Sequence, residues 1–144
     1  MKRTTTLRRR TPLAKIGKRR GRARSLRQKL LPLFSKLIRQ RDKRCLMSSS
    51  GLGKCGGNLQ CSHIYPRGKY PLLALFPLDA FACCFVHHLY VWHRNPVEAH
   101  RWMLSTFPQD WLDRLEAARA NSVSRKGMME SDIRAEWRLY GLLP

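Results

Sequence analysis

Between residues 26 and 41 the apolar positions Leu30, Leu31, Phe34, Leu37 and Ile38 recur at spacings of three and four, while Lys36, Arg39 and Arg41 fall on the other side. That period predicts an amphipathic helix, with Pro32 marking its first turn or a kink. The pattern then changes. Residues 59–64 alternate and predict a short strand, and residues 81–84 predict a second. Residues 65–77, punctuated by proline and glycine, predict a loop between them. Residues 86–92 open a helix. Asn95-Pro96 supplies a cap and a first helical position, and further helices are expected at about 108–120 and 130–140, with Pro108 and Ser131 as start signals. The result is an α+β chain: a small hairpin followed by a helix, flanked by helices on both sides. There is no internal repeat.

Charge divides the chain further. Its 144 residues hold 29 Lys and Arg against 9 Asp and Glu, a formal net charge of +20. Residues 1–44 carry 18 of those 29 cations and a single acid, Asp42. Residues 1–27 have too few apolar positions to bury a core and read as a basic disordered tail that engages DNA phosphates. A transit peptide or a nuclear-localisation tract would share that composition. Residues 28–144 then form the folded domain, with its first helix at 28–42, a central unit at 45–94 and the remaining helices at 95–144. A chain this basic calls for a polyanionic partner: nucleic acid first, an anionic membrane surface second. No apolar run approaches the ~18 residues that span a bilayer, and no signal-peptide core is present, so a cytoplasmic chain with no membrane partner is expected. A hydrophobic content of 43% allows a modest core. A core of that size gains from a metal staple.

The five cysteines, an odd number, argue against a disulfide framework. Cys45 and Cys55 close a polar loop, and Cys84-Phe85-Val86-His87 offers a C-x-x-H pair. Three thiolates and one imidazole make a four-coordinate set suited to structural Zn²⁺. Nine residues separate the first pair where two to four are usual, and scattered buried cysteines are the other reading. Cys61 and Cys83 compete as ligands but read as core. His63 stands near the end of the first strand, and His88 directly follows a zinc ligand that would hold it rigidly, so the two are candidates to face a second ion.

As a set, Arg44-Cys45, Cys55-Gly56, Leu59-Gln60, His63-Ile64, Leu78-Asp79 and Cys84-x-x-His87-His88 resemble the HNH (ββα-metal) endonucleases. The likeness is closest to the phage recombination nucleases of the Rap/NinG type and covers about residues 40–95. It implies a metal-dependent DNA endonuclease that hydrolyses phosphodiester bonds, on Holliday junctions or related branched DNA. In that scheme His63 is the general base, with a pKa near working pH, and His88 is a ligand to Mg²⁺ or Mn²⁺. Asp79 takes the middle position, where the family usually has Asn, and would pin the loop between the strands or act as a ligand. Ser62 stands where many relatives carry a further ligand. His93 is the nearest substitute, though five residues after His88 is not the same face of an α-helix; packing or a surface role is the alternative. Arg67, Lys69 and Arg94 would clamp phosphates. Trp92, Trp102, Trp111 and Trp137 read as core, His100 as structural, and Asp110, Asp113 and Glu116 as a solvated helix face. A junction-cutting enzyme implies two active sites and hence a homodimer, in the host cytoplasm if the chain is phage-encoded. The competing functions are a zinc-containing nucleic-acid-binding module without catalysis, and a basic coat protein.

Overall fold

The structure, a computed structural model, describes residues 25–144, so the tail assigned to 1–27 lies almost wholly outside the described residues. Helix α1 spans Leu26–Asp42. It starts two residues before the boundary read from composition because Ser25 caps it: the Gln28 amide donates to Ser25 Oγ, and the Ser25 amide donates back to the Gln28 side chain. Pro32 lies inside the helix, not in its first turn. The helix ends at Lys43 in the left-handed region, with φ of 60°. Its inner stripe, Leu30, Phe34 and Ile38, is buried as the spacing requires.

Strands β1 (Leu59–His63) and β2 (Ala80–Cys84) pair antiparallel, with Cys61 opposite Ala82 and His63 opposite Ala80. The pairing is extended by the Ile64 amide, which donates to the Asp79 carbonyl across the ends of the long connection. Every residue of β2 is buried. The hairpin is therefore a middle layer. Ala80 joins the α1 cluster of Leu30, Phe34, Ile38 and Trp137, while Phe81 and Cys83 join a second cluster with Trp102, Phe107 and Leu112. Removal of Phe34 and Ile38 from water contributes about 1.5–3 kcal/mol each.

After β2 the chain enters a π-helical turn, His87–Trp92, followed by α2 (Pro96–Thr106), α3 (Gln109–Ala120) and α4 (Glu130–Leu139). Pro96 takes the first position of α2, but the Asn95 side chain makes no capping bond. Helix α4 begins at Glu130, ahead of the expected Ser131, because Asp132 reaches back to accept the Met129 amide at 2.8 Å.

The excursion between the strands would leave carbonyls without partners if nothing reached them. Three indoles do. Trp92 donates to His63 O, Trp111 to Leu78 O and Trp137 to Leu75 O, at 2.9–3.0 Å. These tryptophans are core residues, as their helical spacing suggested, and also pin the loop. The α1 end is tied in by Asp42, which accepts the Ala82 amide at 2.7 Å, and by Arg41, which donates to Pro77 O and Ala80 O. Among the described residues no helix is long and apolar enough to cross a membrane.

Candidate functional site

Two sites share one short segment. The first lies at the open end of the hairpin. After Cys45 the chain makes a 3-10 turn at Leu46–Ser49 that sinks Met47 into the core, then returns to deliver Cys55. The return runs hard against the start of the π-turn. A Cβ on Gly57, which sits at φ of 72°, would come within 2.8 Å of Phe85 Cβ, so only glycine fits there. Cys45, Cys55, Cys84 and His87 bring one ligand atom each within 4.8 Å of one another. His87 Nδ1 lies 3.3, 3.6 and 3.2 Å from the sulfurs of Cys45, Cys55 and Cys84. Tetrahedral zinc, with bonds of about 2.3 Å to sulfur and 2.0–2.1 Å to nitrogen, would set sulfur and nitrogen about 3.6 Å apart. The set could therefore hold a metal ion such as zinc.

The surroundings suit thiolate ligation. His87 Nε2 faces Gly53 O at 3.3 Å, so its proton belongs on Nε2 and its lone pair on Nδ1, toward the sulfurs. Burial opposes ionisation of Cys84, but the amides of His87 and Gly56 point at its sulfur and the net pKa is lowered. Burial raises that of Cys45, and a cation between them would reverse this. Cys61 and Cys83 stay outside the cluster. Cys83 is fully buried against Ser62 Oγ at 2.9 Å, and burial pushes its thiol up to about 12. Cys61 packs beside α1, and burial pushes it up to about 11.

The second site opens on the other side of His87-His88. His63, Arg67, His88 and His93 are among the lining of a cavity of about 820 Å³ between the β1–β2 loop and helices α2 and α3. His63 is held by a bond from Nε2 to Ala74 O at 3.0 Å, which fixes the tautomer and leaves the Nδ1 lone pair free. Burial, reinforced by the charges of Arg67 and His88, lowers its pKa to about 4. The expectation of a pKa near working pH is thus corrected: the imidazole is neutral well into acid. His88 is held by Gln60 Oε1 at Nδ1, and its pKa is lowered by burial, by His93 and by Arg67.

His93, the substitute ligand the sequence offered against the α-helical period, comes beside His88. The His93 amide bonds to the His88 carbonyl, an i+5 closure, so this wider helix takes more residues per turn than an α-helix and brings His93 closer to the face of His88. Its Nε2 lies 2.9 Å from His88 Nε2, with ring centroids 4.6 Å apart. Ser62, by contrast, points into the core at Cys83 and offers the cavity nothing. Among the described residues the Cys/His cluster is the one group of three or more such ligands gathered this closely, so a second ion here would have two protein ligands, His88 and His93. Paired imidazoles suit a divalent transition ion; Mg²⁺ and Mn²⁺ favour oxygen.

Asp79 is wholly buried. Its Oδ1 accepts the Tyr65 amide at 2.7 Å, tying down the loop just after β1, and its Oδ2 has no partner. It does not line the cavity and is not a ligand there. Burial raises its pKa to about 9, so at neutral pH it is a protonated acid, closer to an Asn than to a carboxylate.

Of the three proposed phosphate clamps, Arg67 lines the cavity. Lys69 lies over the Tyr70 ring at 5.6 Å and Arg94 over Tyr90 at 5.0 Å; both are exposed and outside the cavity lining. Arg39 and Arg41, read as outward-facing on α1, lie close enough for their charges, with that of Arg67, to act on Cys61. His100, expected to be structural, is exposed at the cavity rim. No protein-family model, curated protein or solved structure matches this chain.

Proposed function

We propose that this protein is a metal-dependent DNA endonuclease of the HNH (ββα-metal) kind, with a structural zinc in the Cys45–Cys55–Cys84–His87 set and a hydrolytic centre at His63, His88 and His93. The observation that carries the reading is the i+5 turn that sets His93 Nε2 2.9 Å from His88 Nε2 beside a neutral, tautomer-fixed His63 in the same cavity. Three imidazoles so arranged fit hydrolysis better than mere binding. One has a free lone pair to accept a proton, and two point nitrogens at one spot.

In the reaction, His63 Nδ1 takes a proton from water as the water oxygen bonds to phosphorus and the bond to the departing sugar oxygen breaks. Ala74 O and the Trp92 bond to His63 O keep the base in place. Arg67 binds a non-bridging phosphate oxygen. A divalent cation on His88 and His93 would supply charge neutralisation at the phosphate and the leaving oxygen. Asp79 positions the strand end through Tyr65 and touches no substrate.

Support for DNA is the net charge of +20 and Arg67 in the cavity lining. Branched DNA, a phage context, a homodimer and a cytoplasmic setting rest on the Rap/NinG-type resemblance alone. The test is supercoiled plasmid incubated with zinc-loaded protein and each of Mg²⁺, Mn²⁺, Co²⁺ and Ni²⁺, beside His63→Ala. Nicking by the parent and not by the variant is the expected result. Tight binding with no nicking under any ion would leave a zinc-containing DNA-binding module.

A further inference from the structure

The cavity is larger than the chemistry at its histidines needs. At about 820 Å³ it falls within the ~300–1,000 Å³ range of pockets that enclose whole organic ligands. A phosphate needs far less. Beside His63 and Arg67 its lining includes the apolar side chains of Trp92, Met103 and Leu112 and, from α3, the polar side chains of Gln109, Asp113 and Glu116. Those three lie at i, i+4 and i+7 on α3, one face of one helix.

The walls differ in charge. Arg67 on the β1–β2 loop favours phosphate and the free carboxylate of α3 disfavours it, so a phosphate is better placed against the loop than against α3. What suits a cation, an apolar slot and carboxylate acceptors is a single nucleotide, entering base first with its phosphate left behind. The acceptors are not equally free. Glu116 is taken by Tyr65 OH and by Arg119. Asp113 receives Gln109 Nε2 on one oxygen at 2.8 Å and has no ion pair among the described residues, despite the excess of cations.

We propose that the α3 wall of this cavity, with its apolar floor, is a nucleobase pocket, which takes one unpaired base adjoining the phosphate at His63 and Arg67, with Asp113 reading the base edge. The assignment of DNA as the ligand rests on the nuclease reading. Guanine is favoured, since its N1–H and N2–H are adjacent donors that match a carboxylate. Adenine and cytosine set an acceptor beside their amino group, and thymine has one donor between two carbonyls. Burial of the ring on the Trp92, Met103 and Leu112 floor supplies the affinity common to all bases. An unpaired base would thereby be the feature that distinguishes branched or bulged DNA from plain duplex.

The experiment uses the full zinc-loaded chain bearing His63→Ala, so that DNA stays intact, and fluorescence anisotropy with labelled duplexes. Each duplex carries one central extra nucleotide: guanine, thymine or an abasic sugar. All three have the same phosphate count, so electrostatic binding is matched. Expected is a Kd for the guanine bulge at least roughly tenfold below the abasic one, the gain from stacking one base. The guanine-over-thymine preference should vanish in Asp113→Asn, an exposed, isosteric change that should leave zinc content unaltered and, by removing one negative charge, shift the affinity for all three duplexes alike apart from the lost preference. Equal affinity for guanine and abasic bulges, or a guanine preference that survives Asp113→Asn, overturns the pocket. A parent chain that nicks plasmid without base discrimination also overturns it and leaves the nuclease standing. Base discrimination without nicking supports the pocket and removes the nuclease.

Discussion

His87 and His88 are neighbours in sequence, yet they belong to two centres built on different terms. The thiolate centre gathers four ligands from two knuckles, fixes the His87 tautomer through Gly53 O, and could hold an ion without help. The imidazole centre gathers two candidate ligands and one candidate base, and faces an open cavity. A closed set serves stability and a set with open positions serves chemistry. One metal can thus brace the turn from which the next residue reaches into the cavity.

The sharpest way to break this division is at the closed centre. Cys84→Ser removes a ligand whose sulfur also accepts two backbone amides. Structural zinc carries about 10–16 kcal/mol of apparent binding free energy in small zinc folds, so metal loss should unfold the hairpin end. The expected result is near-zero zinc by elemental analysis and no cooperative thermal transition. Retention of both would mean that the four residues do not hold the fold. A strong chelator should do the same to the parent.

At the open centre the fold should survive and the chemistry should not. His63→Ala is expected to keep its zinc and its melting transition while nicking falls about 10²–10⁴-fold, the usual worth of a positioned base. His93→Ala should act next most strongly. It leaves His88 alone, and the cation concentration for half-maximal nicking should rise at least about tenfold, the lower end of what disturbing a metal site costs. An unchanged cation requirement would reduce the His88–His93 contact to a hydrogen bond. Since burial holds the His63 pKa at about 4, nicking should not fall between pH 7 and 5.5 as it would for a histidine with its ordinary pKa of 6.5. An acid limb centred near 6.5 would refute that placement.

The two centres also differ in how far the chain announces them. Cys84 and His87 lie one turn apart and Cys45 and Cys55 flank a polar loop, so the thiolate set was legible from spacing; so were the hairpin, the α1 stripe and the tryptophan anchors. His93 was not, because a periodicity of 3.6 puts i+5 off the face, and only the wider turn at 87–92 brings it back over His88. Nor could spacing reveal that Asp42, the lone acid of a basic segment, would be spent on the Ala82 amide. The direction of Ser62 depends on which face of β1 meets Cys83, a matter of register with a strand about twenty residues away.

Asp79 gives the smallest expected effect and the finest test, since it lies at the loop end of the hairpin, past His63 and opposite the thiolate end, and is a ligand in neither centre. A carboxyl with a folded pKa near 9 and an ordinary value of 3.8 stabilises the fold only while protonated. Its favourable contribution is complete below 3.8 and is lost as pH rises toward 9. His63 runs the other way. Its burial as a neutral ring contributes above 6.5 and is lost as pH falls through 4. Between pH 7 and 8 the His63 ring no longer varies, and the proton uptake of the metal ligands is common to parent and variant, so a difference in slope isolates the acid. Over that unit the zinc-loaded parent should lose roughly 1 kcal/mol of unfolding free energy relative to Asp79→Asn, by urea denaturation. The slope decides the matter, not the absolute stability, because an amide at this position must also find a partner where Oδ2 has none. Equal slopes would show that Asp79 is ionised in the fold and that its likeness to the Asn of the HNH pattern is one of shape alone.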